Sequence, residues 1–235
     1  MAADIGYIHH EAHLRSSDVI SDIVIGMSDG LTVPFALAAG LSGAVASSSL
    51  VVTAGIAEIV AGSIAMGLGG YLAGRTEADH YSSERRREVA EVESVPEKEK
   101  EEVREVFAEM GLSPALQITI ADELAKDKVK WVDFMMKYEL GLDEPDPNRA
   151  TKSAFTIGLS YVVGGLIPLT PYFLIKSPHE ALLYSAGITL LCLFIFGYFK
   201  SKVTGQPPVS GALKVMLIGA LAAAAAFGIA RLVGG

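Results

Sequence analysis

Cysteine is almost absent from this chain of 235 residues, which has only Cys192, inside an apolar run. One cysteine cannot form a disulfide within the chain. The sequence also lacks the Walker motif that binds nucleotide phosphates. If the protein moves a solute against a gradient, the energy must therefore come from a source other than ATP bound by this motif.

Basic residues are outnumbered, and the formal net charge is −8. Residues 75–152 hold 13 Lys and Arg against 20 Asp and Glu, whereas the other 157 residues hold 6 and 7. No net-basic domain and no basic patch with interleaved aromatics is present, which excludes nucleic acid as a partner. The acidity is confined to one polar block, which apolar sequence flanks on both sides.

Five apolar runs are each long enough to cross a bilayer, which takes about 20 helical residues. They are Val19–Leu41, Leu50–Ala73, Ala154–Ile175, Ala181–Phe199 and Gly211–Val233. The connector between the first two carries no charge, whereas the polar block and the fourth connector are rich in Lys and Arg. Because cytosolic connectors collect basic residues, we expect a cytosolic N-terminus and a luminal C-terminus.

The polar block reads as a small helical bundle. Its first helix, Arg75–Glu93, should continue the second span. Ser94 should cap the next helix, with Pro96 in the first turn, and Gly111 should end that helix. Further helices are expected to about Lys126 and over Val129–Leu140. An apolar stripe should pack on the following helix; the stripe is Val103, Val106, Phe107 and Met110, and its partners are Leu116, Ile120 and Leu124. We thus predict an all-α membrane protein: residues 1–74 with spans one and two, a cytosolic metal-binding bundle at 75–150, and 151–235 with spans three to five.

Three carboxylates lie inside the first two runs: Asp22, Asp29 and Glu58. A charge at bilayer depth costs several kcal/mol, so such groups usually face a pathway or a partner. Asp29 stands about 15 Å into its run at 1.5 Å per residue, which is mid-membrane. Asp22 is nearer the cytosolic interface, where we expect it to be solvated. Ion transport is therefore the default hypothesis.

Met66 should lie level with Asp29, because the first two spans are antiparallel. A thioether beside a carboxylate suits borderline or soft divalent metals better than Mg2+ or Ca2+, although ordinary packing also explains a methionine on an apolar face. Glu58 has no basic partner in any span. A two-fold dimer would place two copies of Asp29 and Met66 around one axis. We take Asp29, Met66 and Glu58 as candidate translocation residues.

Glutamates recur at helical spacing in the polar block, beside a turn that contains two methionines. The candidate metal ligands are Glu88, Glu91, Glu99, Glu102, Met135, Met136 and Glu139. Like charges at such spacings repel, so something cationic should offset them. Nearby Lys and Arg in a solvated face would do so; a loose, carboxylate-rich metal site is the alternative.

Two further fragments are weaker. Glu77 and His80 form one E-x-x-H motif, which is half of a di-iron carboxylate signature. The sequence has no second copy of this motif, and its absence argues against a ferroxidase. His9, His10 and His13 precede the first span and are metal candidates of low weight.

The stretches Asp22–Gly40 and Ala57–Ala73 strongly resemble the vacuolar iron transporter family. The resemblance extends to the five spans, to the insert after the second and to Gly165-Leu-Ile-Pro168 in the third. It is closest to the plant members, which load ferrous iron into the vacuole.

The resemblance implies a homodimeric Fe2+/H+ antiporter of the vacuolar membrane, not an enzyme and without a prosthetic group, whose other substrates could be Zn2+, Mn2+ or Co2+. It also implies that Asp29, Met66 and Glu58 line the path and that the seven bundle residues bind metal. A membrane-anchored metal sensor or scaffold, and an ungated divalent channel, are the alternatives.

Overall fold

The structure is a computed structural model that describes residues 18–44 and 47–234, and every regular element in these ranges is helical. The eight α-helices are α1 Asp18–Ala44, α2 Ser48–Ser94, α3 Pro96–Glu109, α4 Pro114–Leu124, α5 Lys128–Phe134, α6 Arg149–Leu174, α7 Pro178–Val203 and α8 Pro208–Gly234. A π-helical turn, Met135–Glu139, follows α5 directly. The expectation of an all-α chain is confirmed for these residues.

Five helices are long and apolar enough to cross a membrane: α1, α2, α6, α7 and α8. They match the five predicted spans, except that α6 ends at Leu174, one residue before the predicted end at Ile175, and that α2 continues to Ser94. Helix α2 runs for 47 residues without a break, which confirms that the second span continues into the polar block.

The chain divides into two compact units. The first contains the described residues up to Gly70 and those from Lys152 onward, and it holds the apolar parts of all five long helices. The second, Tyr71–Thr151, contains the charged end of α2, helices α3 to α5 and the π-helical turn.

Glycines bring the helices of the first unit into close contact. Gly26 and Gly30 of α1 lie so near the backbone of Ile157 and Tyr161 in α6 that a Cβ at either glycine would collide with it. A Cβ at Gly62 of α2 would stand 2.5 Å from the Tyr161 hydroxyl. Small residues permit such close approaches between helices. Helix α6 therefore packs closely against both α1 and α2.

The second unit has its own apolar core, which consists of Val92, Val103, Ala121, Trp131, Val132, Met135 and Met136. Phe107 and Leu124 pack against it, as predicted. The prediction that Met110 and Leu116 belong to this packing is wrong, since their side chains are 55% and 47% exposed. Met110 is already the C-cap residue of α3, beyond the last turn that faces the core.

Two local predictions need correction. The N-cap of α3 is Val95 rather than Ser94, whose hydroxyl instead donates to the Ala90 carbonyl within α2. The helix predicted over Val129–Leu140 ends in the π-helical turn, where the Leu140 N–H bonds the Met135 carbonyl at 3.1 Å. Gly141 follows with φ +65°, a conformation that glycine adopts without strain and that ends the helix.

Candidate functional site

Three of the predicted metal ligands converge in the second unit. Glu88 and Glu91 are on α2 and Glu99 is on α3, and one carboxylate oxygen from each lies within 4.8 Å of the others. Glu88 is 2% exposed and Glu99 is fully buried. One buried oxygen of Glu88 and both oxygens of Glu99 have no hydrogen-bond partner among the described residues.

Such a cluster is costly as it stands, because a buried polar group without a partner keeps its full desolvation penalty. A divalent cation would supply the positive charge that balances these carboxylates, and it would also coordinate the oxygens that lack a hydrogen-bond partner. The donor set of carboxylates therefore fits a metal ion better than any partner within the described protein.

Burial and mutual repulsion both act on these carboxyl groups. Burial, then the negative charges of Glu139 and Glu91, raises the pKa of Glu88 to about 7. Burial, then Glu102 and Glu88, raises the pKa of Glu99 to about 7. Each group is thus near half-ionised at neutral pH when no metal is bound.

Glu102 and Glu139 complete the predicted carboxylate set. Glu139, at the end of the π-helical turn, is exposed, yet its charge reaches Glu88. Its own pKa is raised, first by burial of part of the group and then by Glu102, while the charge of Lys98 opposes the rise. Five glutamates from three segments therefore share one electrostatic environment.

Met135 and Met136 are both buried, at 0% and 1% exposure, in the core of the same unit. Trp131, the only tryptophan of the chain, belongs to this cluster. Packing accounts for both methionines in the metal-free protein, and their role as soft ligands stays a prediction.

In the first unit, the predicted pathway residue Glu58 has a partner that the sequence reasoning missed. The hydroxyl of Tyr161, which is 2% exposed on α6, donates a hydrogen bond to Glu58 Oε1. The other carboxylate oxygen is buried and has no hydrogen-bond partner within the part of the chain that the structure describes. Glu58 also lines a groove of about 490 Å³ between α1 and α8.

Asp29 and Met66 are both half-buried in the first unit. The charge of Asp29 acts on Tyr161, so Asp29 and Glu58 both lie in the electrostatic neighbourhood of this one hydroxyl. The place of Met66 in a path stays a prediction.

Asp22 differs from expectation. It is 2% exposed rather than solvated, and the hydroxyl of Ser153 on α6 donates to its Oδ1 at 3.1 Å. The close approach of α6 to α1 at Gly26, one turn along, removes the water that an interfacial carboxylate would otherwise have.

Known proteins resemble this chain along almost its full length. The model of the VIT family matches residues 20–231. The chain is 53% identical over 233 residues to "Vacuolar iron transporter 1" of Oryza sativa subsp. japonica, covering 99% of this chain and 92% of that protein. It is 54% identical over 225 residues to the Arabidopsis thaliana protein of that name, covering 96% and 90%. "Protein CCC1" of Saccharomyces cerevisiae is 39% identical over 224 residues, covering 92% and 69%.

This chain belongs to the VIT family. The resemblance stated from the two motif stretches is thereby confirmed. Within this VIT-family chain, three of the seven predicted bundle ligands lie together by distance, namely Glu88, Glu91 and Glu99. Glu102 and Glu139 are linked to them by charge, and Met135 and Met136 lie in the apolar core of the same unit.

Tyr161 escaped the sequence reasoning because a tyrosine in an apolar run carries no charge to mark it. The available signal was indirect, since Gly62 leaves room on α2 for one large side chain.

The E-x-x-H fragment has both its ends, Glu77 and His80, exposed. His9, His10 and His13 lie outside the described residues.

Proposed function

We propose that this VIT-family protein transports Fe2+ from the cytosol into the vacuole in exchange for protons. The observation that carries the proposal is the cluster of Glu88, Glu91 and Glu99, in which the buried oxygens of Glu88 and Glu99 that lack a partner among the described residues suit a divalent cation. Relatives that cover nearly the whole chain bear the name vacuolar iron transporter, which supports iron as the substrate and the vacuolar membrane as the location. The protein is then a carrier, without enzymatic activity or a prosthetic group.

The proposed arrangement puts the second unit and the N-terminus in the cytosol and the C-terminus in the lumen. The concentration of Lys and Arg in the polar block, which holds 13 of the 19 in the chain, supports this orientation. We further propose a homodimer, because one protomer of five spans offers few groups to line a path and a two-fold axis doubles them.

In the proposed mechanism, the acidic bundle gathers the cation and raises its local concentration. The glutamates are the hard ligands, and Met135 and Met136 favour a borderline ion such as Fe2+ over Mg2+. The same chemistry would also accept Zn2+, Mn2+ or Co2+. Within the membrane, Asp29 and Met66 take over the ion.

Proton exchange follows from the same groups. A carboxylate must be ionised to bind a metal, so each binding step releases protons and low luminal pH favours metal release. Glu58 is suited to take up either the ion or a proton, because Tyr161 holds one of its oxygens and leaves the other without a protein partner.

The test is Fe2+ uptake into proteoliposomes with an acidic interior, comparing the wild-type protein with Asp29→Ala and with Asp29→Asn. We expect uptake by the wild type, its loss when a protonophore collapses the gradient, and strongly reduced uptake in both variants. Unchanged uptake in the variants would remove Asp29 from the path.

The alternatives give different results in the same assay. An ungated channel would carry Fe2+ at a rate indifferent to the pH gradient. A membrane-anchored sensor or scaffold would bind metal in its acidic bundle without uptake and would tolerate both Asp29→Asn and Glu58→Gln.

A further inference from the structure

Two glutamates of the candidate metal site are already paired with cations of the protein. Lys98 Nζ lies 2.6 Å from Glu102 Oε1. Arg87 Nε lies 3.4 Å from both carboxylate oxygens of Glu91, and Arg87 Nη1 lies 3.2 Å from Glu84 Oε2. The Lys98–Glu102 and Arg87–Glu91 pairs are each formed between neighbouring turns of a single helix, at i,i+4 spacing.

The remaining buried members of the site have no such partner. Glu99 is fully buried, and neither of its oxygens accepts a hydrogen bond from residues 18–44 or 47–234. One buried oxygen of Glu88 is in the same condition. Side chains of the protein therefore neutralise Glu91 and Glu102, whereas Glu88 and Glu99 are left for an external ion.

We propose that Lys98 and Arg87 are built-in counter-cations of the metal site, which an incoming divalent ion displaces from Glu102 and Glu91. This inference rests on the proposed function, because it assumes that the glutamates bind the transported ion. Lys98 and Arg87 thereby set the affinity of the bundle, as residues that determine how tightly the ion is held rather than as ligands.

Their positions suit displacement. The side chains of Lys98 and Arg87 are 65% and 60% exposed, whereas Glu102 and Glu91 are 24% and 32% exposed. The cations can turn outward on long side chains into water while the glutamates stay in place. In the metal-free protein the same cations offset the repulsion between glutamates on neighbouring turns.

A transporter gains from this arrangement. Carboxylates alone, all facing one divalent ion, would hold it tightly and release it slowly. A resident cation competes for the same oxygens, so that binding is weakened and the vacated glutamate recovers a partner as soon as the ion leaves.

The size of the effect follows from Coulomb's law. A unit charge about 5 Å from a divalent ion in a water-like dielectric changes the affinity roughly tenfold. We therefore expect Lys98→Gln, which removes the charge, to lower the dissociation constant for Co2+ about tenfold. Lys98→Arg, which keeps the charge, should bind like the wild type, and Arg87→Gln should act as Lys98→Gln does.

The experiment is a titration of the full-length protein with Co2+, followed by the fluorescence of Trp131, which lies in the core of the bundle and so reports this unit. Lys100→Gln is the matched control. It removes one positive charge from the same helix, but Lys100 pairs with Glu97 at 3.7 Å and Asp122 at 3.1 Å, which are not in the site. We expect it to change the affinity less than twofold.

Unchanged or weaker binding in both Lys98→Gln and Arg87→Gln would overturn the inference, and so would equal tightening in Lys100→Gln. If one variant fails to fold, the other decides in the same way. In those cases wild-type binding leaves the proposed function standing. If the wild type does not bind Co2+ or Fe2+ at all, both the inference and the proposed metal site are wrong.

Discussion

Glu99→Gln should make the metal-free second unit more stable at alkaline pH and leave it nearly unchanged at acidic pH. The wild-type carboxyl group is fully buried, and its two oxygens have no protein partner. The amide is neutral at every pH and has nearly the same shape. The difference between the two proteins therefore isolates the cost of an ionised carboxylate at this position.

The sign follows from the pKa of Glu99, which burial and then the charges of neighbouring glutamates raise from 4.5 to about 7. Below pH 4.5 the group is protonated in both the folded and the unfolded chain, and it does not affect stability. Between 4.5 and 7 the unfolded chain loses the proton while the folded chain keeps it. Stability thus falls as the pH rises through this window, and the loss is complete above 7.

The upper bound is on the order of 3 kcal/mol, since each pKa unit corresponds to about 1.4 kcal/mol, and solvent screening of the neighbouring charges lowers it. We expect Glu99→Gln to exceed the wild type in free energy of unfolding by about 1–3 kcal/mol at pH 8 and to equal it within about 0.5 kcal/mol at pH 4.5. Glu88, whose pKa is also about 7, contributes a loss of the same sign to both proteins, so this loss largely cancels in the difference between them.

The measurement is urea unfolding of the full-length protein in detergent with a chelator present, followed by the emission of Trp131. This residue is the only tryptophan and is 3% exposed, so its emission reports the second unit alone. Glu105→Gln, an exposed glutamate of the same helix, is the control and should shift the midpoint little at either pH. A difference between Glu99→Gln and the wild type that is equal at both pH values would refute the reasoning.

Three other substitutions have defined outcomes. Gly62→Ala should destabilise the first unit by about 1–3 kcal/mol in thermal unfolding, because the new methyl group would stand 2.5 Å from the Tyr161 ring and hydroxyl. Tyr161→Phe should reduce Fe2+ uptake by proteoliposomes several-fold, because Glu58 loses its hydrogen-bond donor. Met136→Leu should keep the bundle folded, at a cost of under about 1.5 kcal/mol, but weaken Co2+ binding several-fold in a fluorescence titration if the thioether is a ligand.

Each of the three has a control in the same helix or unit. Gly69→Ala places its methyl group in open space and should be tolerated. Tyr172→Phe removes a buried hydroxyl from the same helix as Tyr161, but that hydroxyl bonds Ser42 rather than Glu58. Met110→Leu changes an exposed methionine of the bundle. A control that behaves like its test variant contradicts the corresponding reason.

The sequence determined the helices well because their signals are local. Twenty apolar residues in succession, Pro96 at a helix start and Gly111 at a helix end act on the backbone within one or two turns. Gly111 indeed has φ +83°. The carboxylates of the polar block were chosen from spacing together with the family resemblance; Glu88, Glu91 and Glu99 do lie close together, and their role as metal ligands stays a prediction.

Only the tertiary structure decided which polar groups are buried and with what they pair. Asp22 is enclosed rather than solvated because a glycine of α1 admits α6, and Tyr161 reaches Glu58 across 103 positions of sequence. Burial and pairing depend on residues that are distant along the chain, which no local pattern specifies. The sequence alone therefore supplies the acidic residues and the helices that carry them, while the packing of helices sets their charge, their partners and their readiness to bind a cation.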